Sequence, residues 1–447
     1  MKYKNKKALV CGMGMSGVAA ARLLLRHGAV VTLQDLREDP AVECDLLQDS
    51  RVSAYFGKNP DDIVSDFDIL VLSPGIAADL PFVTKARAHG VEVLGEMELA
   101  SAHCAAPIIA ITGTNGKTTT TSIVGEIMQA YNSASRVVGN IGIPFCGVAE
   151  DVPPNAYVVA ESSSFQLETI RNFHPKISAV LNMTEDHLDR HKTMENYVAA
   201  KERIFENQGA NDYCVLNYDN EYTRPMAAKT GAQVIFFSMS PLDSGVYVQN
   251  DAICINWDRY SGQVIKTAEL PIPGRHNLEN AMAAVAISAA AGVPLDTISQ
   301  CLRDFKAVEH RLEFVRELGG VRFYNDSKAT NPDSAIKGLD AMTRPVILIG
   351  GGQDKGLDYG PWIDGFAGKV KHFIIIGQVA QKLEQTCRDR NFAEYQRADT
   401  MEDAVKLAFA GGLPGDCVLL SPACASFGMF DNFEHRGRAF KKIVMEL

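Results

Sequence analysis

No CxxC pair, no apolar run long enough to cross a bilayer, no fixed-period repeat and no low-complexity segment occurs in these 447 residues. Each absence removes a class of protein. The ten cysteines are scattered from Cys11 to Cys424, several within apolar runs such as the one continuing from Cys417 into Val418, Leu419 and Leu420. They read as reduced, buried thiols and not as a disulfide frame or a thiolate zinc site. The opening MKYKNKK leads straight into ALVCG without the apolar core of a signal peptide, so a soluble cytoplasmic protein with no membrane partner is expected. An excess of positive charge is missing too. A net charge of -10 argues against nucleic acid as a partner, while leaving room for local basic pockets that take phosphates.

What is present is an ordinary globular balance, 46% hydrophobic and 22% charged, in a chain longer than one hydrophobic core usually serves. Three short apolar strands each run into a glycine-rich turn: residues 7–11 before GMGMSG, 108–111 before TGTNGKT, and 345–349 before GGGQDKG. Wholly apolar strands followed by helices mark buried parallel sheets. The expected fold is therefore α/β with three domains, at residues 1–97, 98–307 and 308–447. A helical, amphipathic stretch over about 277–305 precedes the second boundary.

Gly12, Gly14 and Gly17 form GxGxxG between a strand and the helical run 18–25. Such a turn lets a helix N-terminus approach a pyrophosphate. Asp35 closes the next strand where an acid meets ribose in dinucleotide folds, which suggests NAD. Arg37 and the turn Ser73-Pro74-Gly75 add groups suited to a nucleotide diphosphate with no redox role. A ligand-free tight turn is the plainer alternative.

The loop Thr112-Gly113-Thr114-Asn115-Gly116-Lys117-Thr118 carries more. Its backbone N–H groups suit a β-phosphate, Lys117 the terminal phosphates, and the Thr118 hydroxyl a magnesium ion. It is shorter than GxxxxGK[ST], since Ile111 stands six residues before Lys117, but the order of strand, GKT and helix is kept.

Two further strands deliver Glu161 and the run Glu185-Asp186-His187 to the same edge of a parallel sheet, where ligands collect. Glu161 and His187 are magnesium-site candidates, although magnesium prefers oxygen to imidazole; a helix cap is the alternative for residues 185–187. In a helix over about 194–205, Lys201 shares a face with Tyr197, Val198, Ile204 and Phe205. An ammonium there must snorkel, pair with an acid or lose its charge, unless it is chemically modified into an anion that faces metal. In the last third, NDSKATNP and SPACASF each follow a strand and place hydroxyls, Asp326 and Lys328 in loops that suit a carboxylate or serve as capped turns.

Together TGTNGKT, AESSSFQLE, NMTEDHLDRH, GRHNLENA, HRLE, NDSKATNP and SPACASFGMFDNFEHRG span nearly the whole chain and resemble the Mur ligases of peptidoglycan precursor synthesis, in particular the branch that adds D-glutamate. The resemblance implies an N-terminal Rossmann-like domain for UDP, a central P-loop ATPase-like parallel sheet, and a C-terminal Rossmann-like domain for the amino acid. It implies ATP as co-substrate, two magnesium ions, a carbamylated lysine at Lys201, and a monomer that joins D-glutamate to UDP-N-acetylmuramoyl-L-alanine through an acyl phosphate.

By motif, Ser16, Asp35, Arg37, Ser73 and Gly75 would meet the UDP end, with Asn140 and His187 nearer the muramoyl portion. Gly113, Thr114, Asn115, Gly116, Lys117, Thr118 and Thr119, joined by Asn280, Arg311 and Asp326, would hold ATP. Thr118, Glu161, His187 and the modified Lys201 would serve the metals. Lys328, Thr330, Lys355, Ser426 and Phe433 would cradle D-glutamate and the acyl phosphate. Catalytic roles would fall to Lys117, Lys201, His187, Lys328 and Lys355. An NAD-linked oxidoreductase or an ATP-hydrolysing switch each leaves one of the glycine loops without a purpose, and a ligase of the same family that adds another amino acid would differ in the C-terminal loops.

Overall fold

The computed structural model describes residues 2–40, 42, 44–306 and 309–447. The expected boundary at 307/308 lies outside these. Three sheets organise three α/β domains. By packing density the chain forms two compact units, residues 1–269 with 279–303, and 270–278 with 304–447.

The first unit holds two sheets. One is fully parallel, in the spatial order Val52–Phe56, Val30–Asp35, Lys7–Cys11, Ile69–Leu72, Glu92–Gly95. This 3-2-1-4-5 order is that of a doubly wound sheet. The turn after Lys7–Cys11 depends on Gly17, because a Cβ there would lie 1.9 Å from the Gly12 carbonyl oxygen.

The second sheet has nine strands. Its parallel part centres on Ile108–Thr112, between Val158–Glu161 and Ile177–Val180. All five residues of Ile108–Thr112 are buried, as a strand covered on both faces requires. An antiparallel extension, Gly245–Gln249, Ala252–Trp257 and Tyr260–Lys266, was not read from the sequence. Its first turn, Asn250-Asp251, has φ of 50° and 55°, the left-handed pair that a two-residue hairpin needs and that Asn and Asp tolerate.

The helical stretch expected over 277–305 is two helices, Arg275–Ala290 and Leu295–Asp304. Gly292, at φ 85°, and Pro294 end the first and start the second. The helix expected to reach residue 205 stops earlier, as Met194–Glu202 followed by a 3-10 turn, Arg203–Phe205.

Within the first unit a buried acid ties the sheets together. Glu98, on the helix Glu96–Ser101, accepts the backbone N–H groups of Arg171, Asn172 and Phe173 at 2.9, 2.9 and 3.0 Å. Its neighbour Glu96 accepts Cys146 N at 2.6 Å.

The second unit is a six-stranded sheet in the order Glu313–Leu318, Val321–Asn325, Cys417–Leu420, Val346–Gly351, Val370–Ile376, Tyr395–Arg397. Only the first pair is antiparallel. Among the described residues no helix is long and apolar enough to cross a membrane.

A Glu98→Gln substitution keeps the shape but replaces one acceptor oxygen by a donor, leaving one or two of these three backbone N–H groups without their acceptor. The expected loss is about 1–3 kcal/mol, read as a lower urea midpoint; an unchanged midpoint would contradict this role.

Candidate active site

The carboxyl edge of the central sheet gathers the phosphate loop, Glu161 and the segment after Ile177–Val180. Register puts Ile111 beside Glu161 and Thr112 beside Val180. The helix Lys117–Tyr131 starts at Gly116, whose φ is 84°. A Cβ at Gly116 would meet Asn280 Oδ1 at 2.1 Å, so glycine is what lets Asn280 reach the loop. Thr120 Oγ1 donates to the same Asn280 oxygen at 3.4 Å.

The loop is held from behind. Asn182 O accepts Thr114 N at 2.9 Å, and the Asn182 side chain pairs with both the N–H and the carbonyl of Asn115, at 2.9 and 3.0 Å. Thr114 Oγ1 donates to Thr184 O at 3.1 Å and accepts from Thr184 N at 3.0 Å and from the Tyr197 hydroxyl at 3.3 Å. Lys117 Nζ donates to the carbonyls of Gly113 and Thr114 at 2.8 and 2.7 Å. Thr118 and Thr119 are buried at the helix start, and Thr119 Oγ1 has no partner.

Lys201 is 1% exposed. Its Nζ donates to Thr112 Oγ1 at 3.2 Å and sits 4.9 Å from the centre of the Tyr197 ring. Burial, reinforced by Lys117, holds its pKa well below the usual lysine value, against the pull of Asp186 and Glu161. The side chain therefore does not snorkel, and its burial favours the uncharged form of the amine.

Glu161 is equally buried. Its Oε1 accepts Asn140 Nδ2 at 2.7 Å, whereas Oε2 has no hydrogen-bond partner. A buried carboxylate oxygen left without a donor fits a hard cation that takes oxygen ligands. His187 is the N-cap residue of Leu188–His191, at φ 54°, and its side chain makes no capping bond. The ring packs 4.9 Å from Phe165, with Nε2 3.7 Å from Asp186 Oδ2.

At the first sheet, Ser73 Oγ donates to Gly12 O at 2.7 Å, which locks the two glycine turns together. Asp35 accepts four N–H groups: Met13 N at 2.8 Å, and Arg37 N, Nε and Nη2 at 2.9, 2.9 and 2.8 Å. Arg37, foremost, draws its pKa far below the usual carboxylate range. With its lone pairs in use, Asp35 organises the loop instead of waiting for ribose hydroxyls, which weighs against the dinucleotide reading. Ser16 is half-buried, and Gly75 is exposed with open space where a Cβ would stand.

In the second unit the loops after Val321–Asn325, Val346–Gly351 and Cys417–Leu420 meet. Asp326, fully buried, accepts Ser421 Oγ at 2.8 Å and Leu312 N at 3.3 Å. Burial raises its pKa to about 7 in spite of Arg311 and Arg436. Arg311 follows a residue at φ 67° and precedes one at φ 46°, and its Nε is buried without a partner. Lys328 Nζ lies 5.2 Å from the centre of the Phe433 ring. Ser426 is buried, Thr330 half-buried and Lys355 exposed. The Lys355 loop is tied to the serine-rich one by Gln353 N donating to Ala425 O at 2.9 Å. Asp354 shapes that loop internally, accepting Gly356 N, the Tyr359 hydroxyl and Lys382 Nζ at 2.9, 3.0 and 3.0 Å.

Three residues of this architecture escaped the sequence reading. Asn182 and Tyr197 carry the phosphate loop. Arg436, 1% exposed, donates to Ser327 Oγ, Ser327 O and Cys424 O at 3.0, 2.8 and 3.1 Å. The signal for Arg436 was available: it falls on the stripe of Phe433, Gly437, Phe440 and Val444, much as Lys201 falls on its own.

Comparison with known proteins follows the same order along the chain. A MurD-like N-terminal domain of Mur ligases matches residues 6–95, the Mur ligase middle domain 111–288, and the Mur ligase glutamate ligase domain 310–424. The UDP-N-acetylmuramoylalanine--D-glutamate ligases of Alkaliphilus oremlandii and Caldanaerobacter subterraneus subsp. tengcongensis are 44% and 46% identical to it, each over 100% of both chains. The Clostridioides difficile enzyme of that name is 43% identical over the same extent. Among solved structures, UDP-N-acetylmuramate-alanine ligase from Thermotoga maritima has a TM-score of 0.62 at 18% identity, covering 99% of each chain. A pseudomurein peptide ligase type C from Methanothermus fervidus has a TM-score of 0.60 at 18% identity, covering 99% of this chain and 100% of its own. Relatives that share more than two-fifths of their residues from end to end, with all three domain descriptions in register with the three sheets, make this chain a member of the Mur ligase family.

Proposed function

We propose that the chain joins D-glutamate to UDP-N-acetylmuramoyl-L-alanine at the expense of ATP, giving UDP-N-acetylmuramoyl-L-alanyl-D-glutamate, ADP and phosphate, as a cytoplasmic monomer. The observation that carries this reading is the clustering of Lys117, Glu161 and Lys201 at one sheet edge, each buried or held in place, in a chain whose full-length relatives bear that activity in their names. Residues 1–97 would bind the UDP precursor, 98–307 ATP, and 308–447 the amino acid.

In the first step the carboxylate of the precursor attacks the γ-phosphorus and ADP leaves, forming an acyl phosphate. The nucleophile is already anionic, so positioning and charge neutralisation are the task. Lys117, whose ammonium rests on two loop carbonyls, would exchange them for phosphate oxygens. Gly113, Thr114, Asn115, Gly116 and Thr119 would line the phosphates, and Asn280, Arg311 and Asp326 would complete the nucleotide contacts. In the second step the amine of D-glutamate attacks the acyl carbon, and phosphate leaves as the amide forms. Lys328, Lys355, Ser426, Thr330 and Phe433 would hold the glutamate and the departing phosphate. Ser16, Arg37, Ser73 and Gly75 would keep the uridine end, and Asn140 the muramoyl portion, while Asp35 braces Arg37.

Thr118, Glu161, His187 and a carbamylated Lys201 would hold two magnesium ions, which supply neutralisation of the phosphate charge. The neutral amine favoured by burial is the form that attacks carbon dioxide, making an N–C bond and releasing one proton. The resulting anion would sit beside Lys117, whose ammonium favours it.

Phosphate release from ATP is expected to require both UDP-N-acetylmuramoyl-L-alanine and D-glutamate. Comparable release with neither present, measured by a coupled phosphate assay, would instead favour a hydrolytic switch. Lys201→Ala should lower turnover by about 100-fold or more, with partial recovery on adding acetate or another short carboxylate; full activity in the variant would exclude the carbamate. Because acid protonates the Lys201 amine and so reverses carbamate formation, activity should fall on the acid side and be raised there by bicarbonate. A response to pH with no bicarbonate dependence would count against the modification.

A further inference from the structure

Three segments of the first unit bring together two imidazoles and a carboxylate that the ligase chemistry does not use. His27 is the C-cap of the helix Met15–Arg26, His103 follows the helix Glu96–Ser101, and Glu150 follows the turn Phe145–Gly147. Along its helix His27 is about 18 Å from the glycine loop, at 1.5 Å per residue. We infer that His27, His103 and Glu150 form a binding site for a zinc-class transition-metal ion.

One ligand atom from each residue lies within 4.8 Å of the other two. His27 Nε2 and Glu150 Oε1 are 2.8 Å apart, and the two histidine ring centres are 4.1 Å apart at an interplanar angle of 49°. A tetrahedral ion with bonds of about 2.0–2.1 Å separates its ligand atoms by roughly 3.3 Å. The set therefore closes by side-chain rotation alone, with the ion replacing the proton shared by His27 and Glu150. The Tyr3 hydroxyl, 3.4 Å from His103 Nε2, is a partner of the kind that fixes a ligating ring.

The surrounding charges select the class of ion. Arg26 Nε binds the other oxygen of Glu150 at 2.8 Å, and Lys2 is a second nearby cation. One carboxylate against two cations is a poor site for magnesium or calcium, which need several oxygen ligands. An ion that bonds well to imidazole suits it. Another cluster, Glu309, His310 and Glu313, differs because Lys441 Nζ already pairs with both of its carboxylates, at 3.1 and 2.5 Å. Access exists as well, since both imidazoles are only half-buried and Glu150 is exposed. A bound ion would fasten the end of the glycine-loop helix to two segments that border the central sheet.

The test uses the full chain, stripped with a chelator and titrated with Co2+ under saturating Mg2+. We expect one Co2+ per chain, with visible d–d bands and no near-ultraviolet thiolate band, displaced by an equivalent of Zn2+. His103→Asn and Glu150→Gln should each weaken binding by about tenfold or more, while His435→Ala, on the last helix of the second unit, leaves it unchanged. Zn2+ should raise the melting midpoint of the native chain but not of the two variants, whose folding is checked by circular dichroism without metal. Absence of Co2+ binding by the native chain would overturn the proposal, as would equal affinity in the native, Glu150→Gln and His103→Asn chains. A thiolate band tracking the bound ion would overturn it too, by assigning the metal to cysteine.

Discussion

The charge balance around the buried amine of Lys201 constrains the whole edge of the central sheet. A lysine at 1% exposure with Lys117 as a neighbour cannot keep an ammonium without a large desolvation cost. Glu161 and Asp186 offset part of that cost, yet Glu161 itself is buried with one oxygen unpaired. Each of these groups is costly alone, and the proposed phosphates at Lys117 and cation at Glu161 would offset that cost. The fold tolerates this because the strand beneath, Ile108–Thr112, is buried throughout and paired on both sides.

Around that edge, backbone groups and amides do the positioning. Asn182 grips both sides of the Asn115 peptide, and Thr114 Oγ1 meets Thr184 and Tyr197. The phosphate loop is thus set by the segment after Ile177–Val180 and by the helix Met194–Glu202 before any nucleotide enters, the pre-organisation that electrostatic catalysis depends on. In the N-terminal domain Asp35 plays a comparable part for Arg37 and Met13.

Much of this was legible in the sequence wherever a local pattern had one physical reading. Three apolar strands with glycine turns announced three sheets, and GKT announced the phosphate loop. Lys201 stood out because its helical neighbours are apolar. Elsewhere local pattern underdetermined the outcome. The break at Gly292 and Pro294 was absorbed into one long helical stretch because the apolar spacing continues on either side. The Asn250-Asp251 hairpin was passed over because its strands carry no glycine loop. Asp35 looked like a ribose ligand since sequence cannot show that Met13 and Arg37 fill its oxygens, and Asn182 gains its role only from the strand beside it. Arg436 is the instructive miss: the rule that singled out Lys201 applies to it equally.

That guanidinium has a consequence for anyone wishing to re-engineer the C-terminal face. One side chain binds carbonyls from two different loops, at Ser327 and Cys424, and holds the Ser327 hydroxyl as well. Neither loop can be exchanged independently, since a graft that shifts either carbonyl strands a cation in the core. Changes of specificity there must travel as a matched set of loops, or be confined to side chains that leave the shared anchor untouched.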